Sequence, residues 1–366
     1  MAGRIFVTGD IHGDPGRFSK ERFPLQWELD KEDYMIICGD FGLVWSGEVT
    51  IEDGTVTVKN EESENEKWWL DWLEALPFTV LFVDGNHENY DRLNQYPVEE
   101  WMGGKVHKIR PSVIHLMRGQ VFTFAGQRIF TFGGARSHDI SDGILECTDP
   151  HFKEKRKQLN ERRAMYRVNH ESWWKEEMPS LEEMEEGLLN LALYAYDVDY
   201  IISHCCPGEL LELIHPDLKE ENELTLYFDT LKKGCSYKKW YFGHYHDNKN
   251  VTDKDVLLYK DILELGASID PNHPVLGKPR YEMYQPVKFF WQEKGKQVEK
   301  IGLVYIRDPY GTFSNPDEPS YDIMARLDDG NCLFKHHAES TVTALTEEEI
   351  EEHKELLAKL AVGWKK

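Results

Sequence analysis

The chain has 366 residues, of which 43 are Lys or Arg and 66 are Asp or Glu, so its formal net charge is −23. With 40% hydrophobic residues, including 11 Trp, it has enough apolar material for a packed core, which excludes a globally disordered protein. The acidic excess argues against a protein that mainly grips nucleic acid, because neutralising phosphates requires clustered Lys and Arg. The length favours two domains, or one large domain with an extension.

Neither a membrane span nor a secretion signal is visible in the sequence. No stretch approaches 18 uninterrupted apolar residues, and the first ten residues, MAGRIFVTGD, have no charged leader followed by an apolar segment. The six cysteines form no CxxC pair and show no regular spacing, which predicts reduced thiols. We therefore expect a soluble, cytoplasmic protein without a membrane contact.

Short apolar runs recur along the chain, and each leads into polar residues. These runs and the residues after them are 4–8 before Gly9-Asp10, 34–38 before Gly39-Asp40, 78–83 before Asp84-Gly85-Asn86, 198–203 before His204, and 240–242 before Gly243-His244. Continuous apolar runs of this length are typical of strands that helices cover on both faces. Helical periodicity appears between them, at 66–76 and at 180–195. The alternation predicts an α/β core.

The remaining segments predict further β-structure. Gly-Gln pairs at 119–120 and 126–127 divide the stretch 105–135 into what we expect to be successive hairpins. Beyond residue 270, proline-rich segments and short aromatic strands lead to an acidic helix at about 346–360. We therefore divide the chain into a main domain, residues 1–270, and a β-rich C-terminal extension with a terminal helix, residues 271–366. Within the main domain, 151–197 is a candidate helical lid insertion.

The residues that follow the apolar runs are of the types that bind metal ions. They are Asp10, His12, Asp40, Asn86, His204, His244 and His246. In α/β proteins the loops at the ends of strands converge on one edge of the sheet. Carboxylates, imidazoles and an amide oxygen together suit divalent Mn, Zn, Fe or Ni. The polar residues after any one apolar run are weak evidence alone, but five such groups in this order predict a metal centre.

The same residues carry a family resemblance. Gly-Asp-Ile-His-Gly at 9–13, Gly-Asp at 39–40, Gly-Asn-His-Glu at 85–88, Ser-His at 203–204 and Gly-His-Tyr-His at 243–246 resemble the five ordered motifs of the calcineurin-like metallophosphoesterases. The resemblance implies a four-layer α/β/β/α sandwich with two mixed β-sheets. It covers about two-thirds of the chain and leaves the segment after 270 unexplained.

The resemblance also implies the chemistry of the site. Two divalent ions, with manganese as the first choice over Zn, Fe or Ni, would be bridged by Asp40. The first ion would be held by Asp10, His12 and His246, and the second by Asn86, His204 and His244. The ions together would activate a water, as hydroxide, for in-line attack on phosphorus. His87 would protonate the leaving group or stabilise the charge that develops on the phosphate.

The chain departs from the family pattern just after Asp40. The sequence continues Phe41-Gly42, without the acidic residue that many members have three positions after the Asp and without the Arg of the phosphoprotein phosphatases. His87 therefore lacks its usual partner, and Asp84 and Glu88 are the candidates to orient it. The missing Arg also weakens the interpretation as a phosphoprotein phosphatase.

Substrate contacts are less clearly marked in the sequence. Arg136 is the candidate phosphate contact, since the planar guanidinium matches phosphate oxygens, and His138 and Asp139 follow it. The basic stretch 153–167 is interspersed with Glu, so it predicts either a solvated helix face or a cationic lid over the site.

These observations predict a metal-dependent phosphoester hydrolase. We expect a phosphatase or phosphodiesterase acting on a nucleotide or another small phosphorylated molecule, and not on long nucleic acid. The alternatives are a phosphoprotein phosphatase and a metal-binding scaffold without catalysis. Retention of all seven ligands and His87 argues against the scaffold. A nuclease would need a basic groove that only 153–167 could supply. The preference between mono- and diesters and the oligomeric state are open at this point.

Overall fold

The computed structural model describes residues 3–52, 55–59, 61–214, 220–270, 276–293, 295–311, 317–327 and 330–362. The chain divides into two compact units, Met1–Ile269 and Asp270–Lys366. Strands and helices are numbered below in chain order. Among the described residues, no helix combines the length and the apolar character that crossing a membrane requires.

A seven-stranded mixed sheet forms one half of the first unit, in the order β17-β1-β2-β5-β8-β7-β6. Its strands are β1 (Ile5–Thr8), β2 (Tyr34–Ile37), β5 (Thr79–Phe82), β6 (Val98–Trp101), β7 (Gly104–Arg110), β8 (Val113–Leu116) and β17 (Ile262–Glu264). Strands β1, β2, β5 and β8 pair in parallel. The pairs β1–β17, β7–β8 and β6–β7 are antiparallel.

A six-stranded mixed sheet forms the other half, in the order β15-β16-β14-β13-β10-β9. Its strands are β9 (Gln120–Phe124), β10 (Gln127–Phe132), β13 (Tyr200–Ser203), β14 (Lys239–Phe242), β15 (Lys249–Asn250) and β16 (Asp255–Leu257). Strands β10, β13, β14 and β16 pair in parallel. Two small pairs complete the unit: β3 (Glu48–Glu52) with β4 (Thr55–Lys59), and β11 (Ile144–Leu145) with β12 (Arg167–Val168). The predicted α/β class with mixed sheets is confirmed.

Six α-helices lie between these strands in the described part of the first unit. They are α1 (Glu64–Glu74), α2 (Tyr90–Leu93), α3 (Phe152–Glu161), α4 (Leu181–Leu193), α5 (Leu211–Ile214) and α6 (Glu223–Gly234). Short 3₁₀ turns occur at Pro15–Phe18, Pro24–Glu28, Lys175–Glu177 and Gly208–Leu210. The start of α4 is set by a capping box in which Ser180 and Glu183 bond each other's backbone N–H.

Three apolar clusters hold the first unit together, and each joins different layers. In one, Val7 of the first sheet and Ile202 of the second lie in the same fully buried cluster. In the next, Leu70 of α1 packs with Met35 of the first sheet. In the third, Phe228 of α6 packs on the second sheet. Fully burying one such side chain contributes about 1.5–3 kcal/mol, so the clusters hold the two sheets and the helices against one another.

The predicted succession of hairpins between 105 and 135 is confirmed, but the two hairpins lie in different sheets. Strands β7 and β8 form one antiparallel hairpin, and β9 and β10 form another, which turns at Ala125 and Gly126. Strands β8 and β9, however, belong to different sheets, so the chain crosses from one sheet to the other near Gly119. A turn signal marks where a strand ends, and it carries no information about which sheet the next strand joins.

The second unit is built on a five-stranded antiparallel sheet, in the order β21-β20-β19-β18-β22. Its elements are β18 (Pro286–Glu293), β19 (Lys296–Asp308), β20 (Ser320–Leu327), β21 (Gly330–Ala338), β22 (Val342–Ala344), a 3₁₀ turn at Glu339–Thr341, α7 (Glu347–Glu352) and α8 (Lys354–Val362). The single terminal helix expected at 346–360 is therefore two helices that meet at His353. Leu357 and Leu360 of α8 pack with Leu303 of the sheet, and Ile350 of α7 packs, partly buried, against the same cluster.

Candidate metal centre

Side chains from the two sheets meet where their parallel strands end. Asp10 follows β1, Asp40 follows β2, and His246 lies beyond the end of β14 in the other sheet. The ligand atoms of these three residues and of His12 all lie within 4.8 Å of one another. His12 Nε2 is 2.8 Å from His246 Nε2, which in turn is 3.2 Å from Asp10 Oδ2. Two imidazoles and two carboxylates that converge in this way form a donor set that fits a divalent cation.

A second group of donors adjoins the first through Asp40. Asp40 Oδ1 lies 3.3 Å from His204 Nε2, while Asp40 Oδ2 lies 3.7 Å from His12 Nε2. Asn86 Oδ1 is 3.2 Å from His204 Nε2, and the ring of His244 stands edge-on to that of His204 with centroids 5.0 Å apart. The structure therefore brings all seven predicted ligands together in two groups, with one oxygen of Asp40 facing each.

The backbone fixes the orientation of the two buried carboxylates. The backbone N–H of His87 donates to Asp40 Oδ1 at 2.7 Å, and that of His244 donates to Asp10 Oδ1 at 3.0 Å. Gly243 is required beside Asp10, because a Cβ at this position would lie 2.0 Å from Asp10 Oδ1. Because Gly243 has no side chain, the carboxylate of Asp10 fits in the space beside it.

Four of the predicted ligands adopt left-handed backbone conformations. The φ angles are +46° at His12, +45° at Asp40, +70° at His244 and +50° at His246. A residue other than glycine in such a conformation costs about 1–3 kcal/mol, and it persists only where the surrounding structure imposes it. Strain concentrated in this way indicates a functional site, since the fold maintains it in order to aim these side chains.

The electrostatics of the site favour a bound cation. Asp10 and Asp40 are 0% and 1% exposed, respectively. Burial would raise the pKa of Asp40, but the charge and hydrogen bond of His204 outweigh burial and lower it. Burial also lowers the pKa of His12 and of His244. Neutral imidazoles carry the lone pair that a metal ion needs.

The tautomer of His204 is fixed by its second nitrogen. Its Nδ1 lies 2.8 Å from the carbonyl oxygen of Cys38, which can only accept a hydrogen bond, so Nδ1 carries the hydrogen. Burial would lower the pKa of His204, but the charge and hydrogen bond of Asp40 outweigh burial and raise it to about 10, so Nε2 also carries a hydrogen, which faces Asp40 and Asn86. A metal ion would bind Nε2 in place of that hydrogen. This is the usual arrangement of a metal-binding histidine.

Comparison with known proteins agrees with this geometry. The family model for the calcineurin-like phosphoesterases matches residues 3–204, more than half of the chain. The chain belongs to this family. The predicted resemblance is confirmed, although the match ends at His204 and does not include His244 or His246. No curated protein matches the chain. Membership of the calcineurin-like phosphoesterases supports phosphoester hydrolysis with divalent metal ions in general.

In this family member the two carboxylates proposed to orient His87 are engaged elsewhere. Asp84 accepts hydrogen bonds from Tyr90 Oη at 2.8 Å and from Arg118 Nε at 2.8 Å. Glu88 accepts from the backbone N–H of Phe41 at 2.7 Å and holds the loop after Asp40. Neither of these contacts involves the imidazole of His87.

Arg167 takes the position beside His87 instead. Its two terminal nitrogens lie 3.4 Å and 3.5 Å from His87 Nδ1 and Nε2, so the guanidinium runs along the ring. Asp139 binds the guanidinium with two bonds of 2.7 Å. Burial lowers the pKa of His87 below its usual value. The negative charge of Asp40 opposes this change, and the positive charge of Arg167 adds to it. The sequence placed Arg167 only within a basic stretch, and nothing in its spacing singles it out.

The predicted phosphate contact, Arg136, is exposed, and in the described residues its charge acts on Glu220. Its neighbour Ser137 is buried and reaches the site. Ser137 Oγ accepts from Asn86 Nδ2 at 3.3 Å and donates to Glu177 Oε2 at 2.6 Å. This chain of hydrogen bonds orients the amide so that its oxygen faces His204. Sequence reasoning missed both Ser137 and Glu177, which no motif marks.

Other cations of the basic stretch form ion pairs at the surface. Lys155 pairs with Asp149, and Arg156 binds Glu171 through two contacts, with the two cationic side chains 51% and 41% exposed. Exposed pairs of this kind contribute about 0–1 kcal/mol each. The pairs favour the interpretation of α3 as a solvated helix face, and Arg167 is the residue of this stretch that reaches His87.

Proposed function

We propose that the protein is a phosphatase or phosphodiesterase that acts on a nucleotide or another small phosphorylated molecule. The position of Asp40 carries the proposal, because its two oxygens face two separate groups of metal-ligand side chains. When bound, two divalent ions, with Mn²⁺ the first choice, supply Lewis acidity and activate a water at neutral pH. Asp40 would contact both ions.

The remaining ligands divide between the ions according to their contacts. The first ion would be held by Asp10, His12 and His246, and the second by Asn86, His204 and His244. His87 lies beside both groups, since its backbone N–H holds Asp40 and its ring stands edge-on to that of His12 at 5.2 Å between centroids. From there it would donate a hydrogen bond or a proton to the phosphate, with the fixed charge of Arg167 alongside.

The charge of the molecule supports a small substrate. A net charge of −23 repels long polyanions, whereas a single phosphate needs only the ions and one or two local cations. Arg167 meets that need, and its side chain is 14% exposed. Arg167 and Glu177 reach the site from within 151–197, which supports the proposal that this insertion covers the centre.

Two further proposals concern the frame of the site. The three apolar clusters, each between a different pair of layers, support the four-layer α/β/β/α sandwich that the family resemblance implies. All six cysteines are free thiols, which supports a reducing compartment such as the cytoplasm.

The first test is hydrolysis of p-nitrophenyl phosphate and of bis(p-nitrophenyl) phosphate. Metal-stripped protein refilled with Mn²⁺ should turn over at least one ester, while the stripped protein should turn over neither. The preferred ester distinguishes a phosphatase from a phosphodiesterase. A phosphopeptide substrate run in parallel would reveal a phosphoprotein phosphatase if it were strongly preferred. Two bound ions without turnover of any of these esters would leave a very selective enzyme or a scaffold, and no bound metal would refute the proposal.

The role of His87 is tested by His87→Ala. We expect kcat to fall by about 10²–10⁴, because a positioned acid or hydrogen-bond donor is lost, while the protein still binds two ions. Metal analysis and steady-state kinetics on the same preparation provide both readings. Unchanged kcat would remove His87 from the mechanism, and loss of metal would show that it supports the ligands instead.

A further inference from the structure

Beyond the seven motif ligands, a second cluster of metal-ligand side chains lies at the same edge of the second sheet. It consists of His138, Glu220 and His244, whose ligand atoms all lie within 4.8 Å of one another. Only His244 belongs to a motif. His138 and Glu220 come from segments that the family resemblance does not assign to the metal centre.

The fold explains why His138 reaches this edge. Strands β14, β13 and β10 are consecutive parallel neighbours, and Phe132 at the end of β10 pairs with Ser203 at the end of β13. The segment after β10 therefore emerges beside those that carry His204 and His244. His138 is the sixth residue after Phe132, and it follows Ser137, which contacts Asn86.

The geometry of the two imidazoles is that of a shared ligand. His138 Nε2 lies 2.9 Å from His244 Nε2, with the rings inclined at 33°. Two imidazole nitrogens that face each other at this distance share either one hydrogen or one metal ion. The ring of His244 also meets that of His204, so His244 links His138 to the second group of motif ligands.

Glu220 adds the carboxylate. Its Oε2 lies 3.7 Å from His138 Nε2, and its side chain is 13% exposed. Its Oε1 accepts a hydrogen bond from Asn222 Nδ2 at 2.7 Å. Asn222 is itself fixed as the N-cap of α6, where its Oδ1 accepts from two backbone N–H groups. The carboxylate is therefore held in place by an outer partner, as metal-binding carboxylates commonly are.

We infer that His138 and Glu220 are additional ligands of the second metal ion, completing the set formed by Asp40, Asn86, His204 and His244. The inference rests on the proposed function, which places that ion next to His244. The second ion would then have six protein ligands and the first ion four, so the positions open to water and phosphate would lie on the first ion. An imidazole and a carboxylate are suitable ligands for Mn²⁺, Fe²⁺ and Zn²⁺.

The test measures metal binding, with activity set aside. Apo protein and its His138→Ala and Glu220→Gln variants would be titrated with Mn²⁺ and with Co²⁺, and bound metal would be measured by elemental analysis after gel filtration. We expect two ions in the wild type. In both variants we expect an unchanged first ion and a second ion bound at least about tenfold more weakly. The visible absorption of the Co²⁺ protein should also change in His138→Ala, because an imidazole ligand is replaced.

His151→Ala serves as the matched control, since His151 is an exposed histidine whose side chain is 72% exposed. It should bind both ions as the wild type does, and circular dichroism of each apo variant should show an intact fold. Unchanged affinity for both ions in His138→Ala and Glu220→Gln would overturn the inference while leaving the proposed function intact. Three ions in the wild type, with only the third lost in the variants, would also overturn it. No metal in the wild type would refute the proposed function itself.

Discussion

The donors of the first metal group all belong to sequence motifs, whereas the second group depends on residues outside them. In the first group, the ligand atoms lie within 4.8 Å of one another, with no side chain needed to bring them together. They belong to Asp10, His12, Asp40 and His246. In the second group, the amide of Asn86 is oriented through Ser137, and further donors lie beside His244. The two halves of the centre thus share Asp40 but are supported in different ways.

This difference has a physical origin in the ligand types. The two oxygens of a carboxylate accept hydrogen bonds in the same way, so the two flipped orientations of the group are equivalent. The amide of Asn86 has an oxygen at one end and an NH₂ group at the other, so a hydrogen-bond partner must determine which end faces the ions. Ser137 accepts from the NH₂ group and donates to the buried carboxylate of Glu177, which leaves the amide oxygen facing the ions. The second half therefore depends on outer side chains to orient its amide, whereas the carboxylate of Asp10 in the first half is held by the backbone N–H of His244.

The largest effect is expected from Asp40→Asn, which affects both halves at once. The substitution replaces one carboxylate oxygen with an NH₂ group and removes the charge that faces both His12 and His204. We expect kcat/KM to fall by about a thousandfold or more, since a bridging anion supports several kcal/mol of transition-state stabilisation. Metal analysis should show both ions bound more weakly.

Asp71→Asn, at an exposed residue of α1, is the control and should leave kinetics and metal content unchanged. If Asp40→Asn lost only one of the two ions, the two halves would be independent sites, and Asp40 would not connect them.

The first half could be predicted from the sequence because its information is local. Each ligand stands next to a buried strand, so a short apolar run and the residue after it are enough to place Asp10 or Asp40 at the sheet edge. The same signal predicted the strands and the α/β class. For this reason the seven predicted ligands could be grouped without knowing the paths of the loops between them.

The supporting residues could not be predicted because their positions depend on the path of long connections. Arg167 contacts His87 across 80 positions of sequence, and Glu177 contacts Ser137 across 40. Arg136 is the predicted phosphate contact because it follows a strand; it is exposed, its charge acts on Glu220, and its role stays a prediction. Composition alone cannot tell which cation of a basic stretch faces inward, since that is decided when the insertion packs.

An intermediate effect is expected from Arg167→Ala, which tests whether the outer layer contributes to chemistry. The change removes the cation that lies along His87 and leaves Asp139 without its partner. We expect kcat to fall by about ten- to a hundredfold, because a fixed charge near the developing phosphate charge is lost, with both ions still bound.

Arg156→Ala is the matched control, because it removes an equally basic side chain that pairs with Glu171 at the surface. It should leave kcat within twofold or so of the wild type, as exposed ion pairs contribute little. Equal losses in the two variants would mean that the whole basic stretch acts as a lid, contrary to the contacts of α3.

The smallest effect is expected from Ser137→Ala, and it separates the two halves most directly. The change deletes one hydroxyl between Asn86 and Glu177, so the amide loses the partner that orients it. We expect the second ion to bind about tenfold more weakly, since outer partners of metal ligands commonly contribute that much, and the first ion to be unaffected.

Titration of the apo variant with Mn²⁺ gives both affinities in one experiment. Ser340→Ala, which also removes a serine bonded to a glutamate (Glu318) but lies in the second unit, should change neither. Equal weakening of both ions in Ser137→Ala would contradict the comparison, because Ser137 contacts only the Asn86 side of the centre in the described structure. Selective weakening would show that the second half owes part of its affinity to a residue that no motif contains.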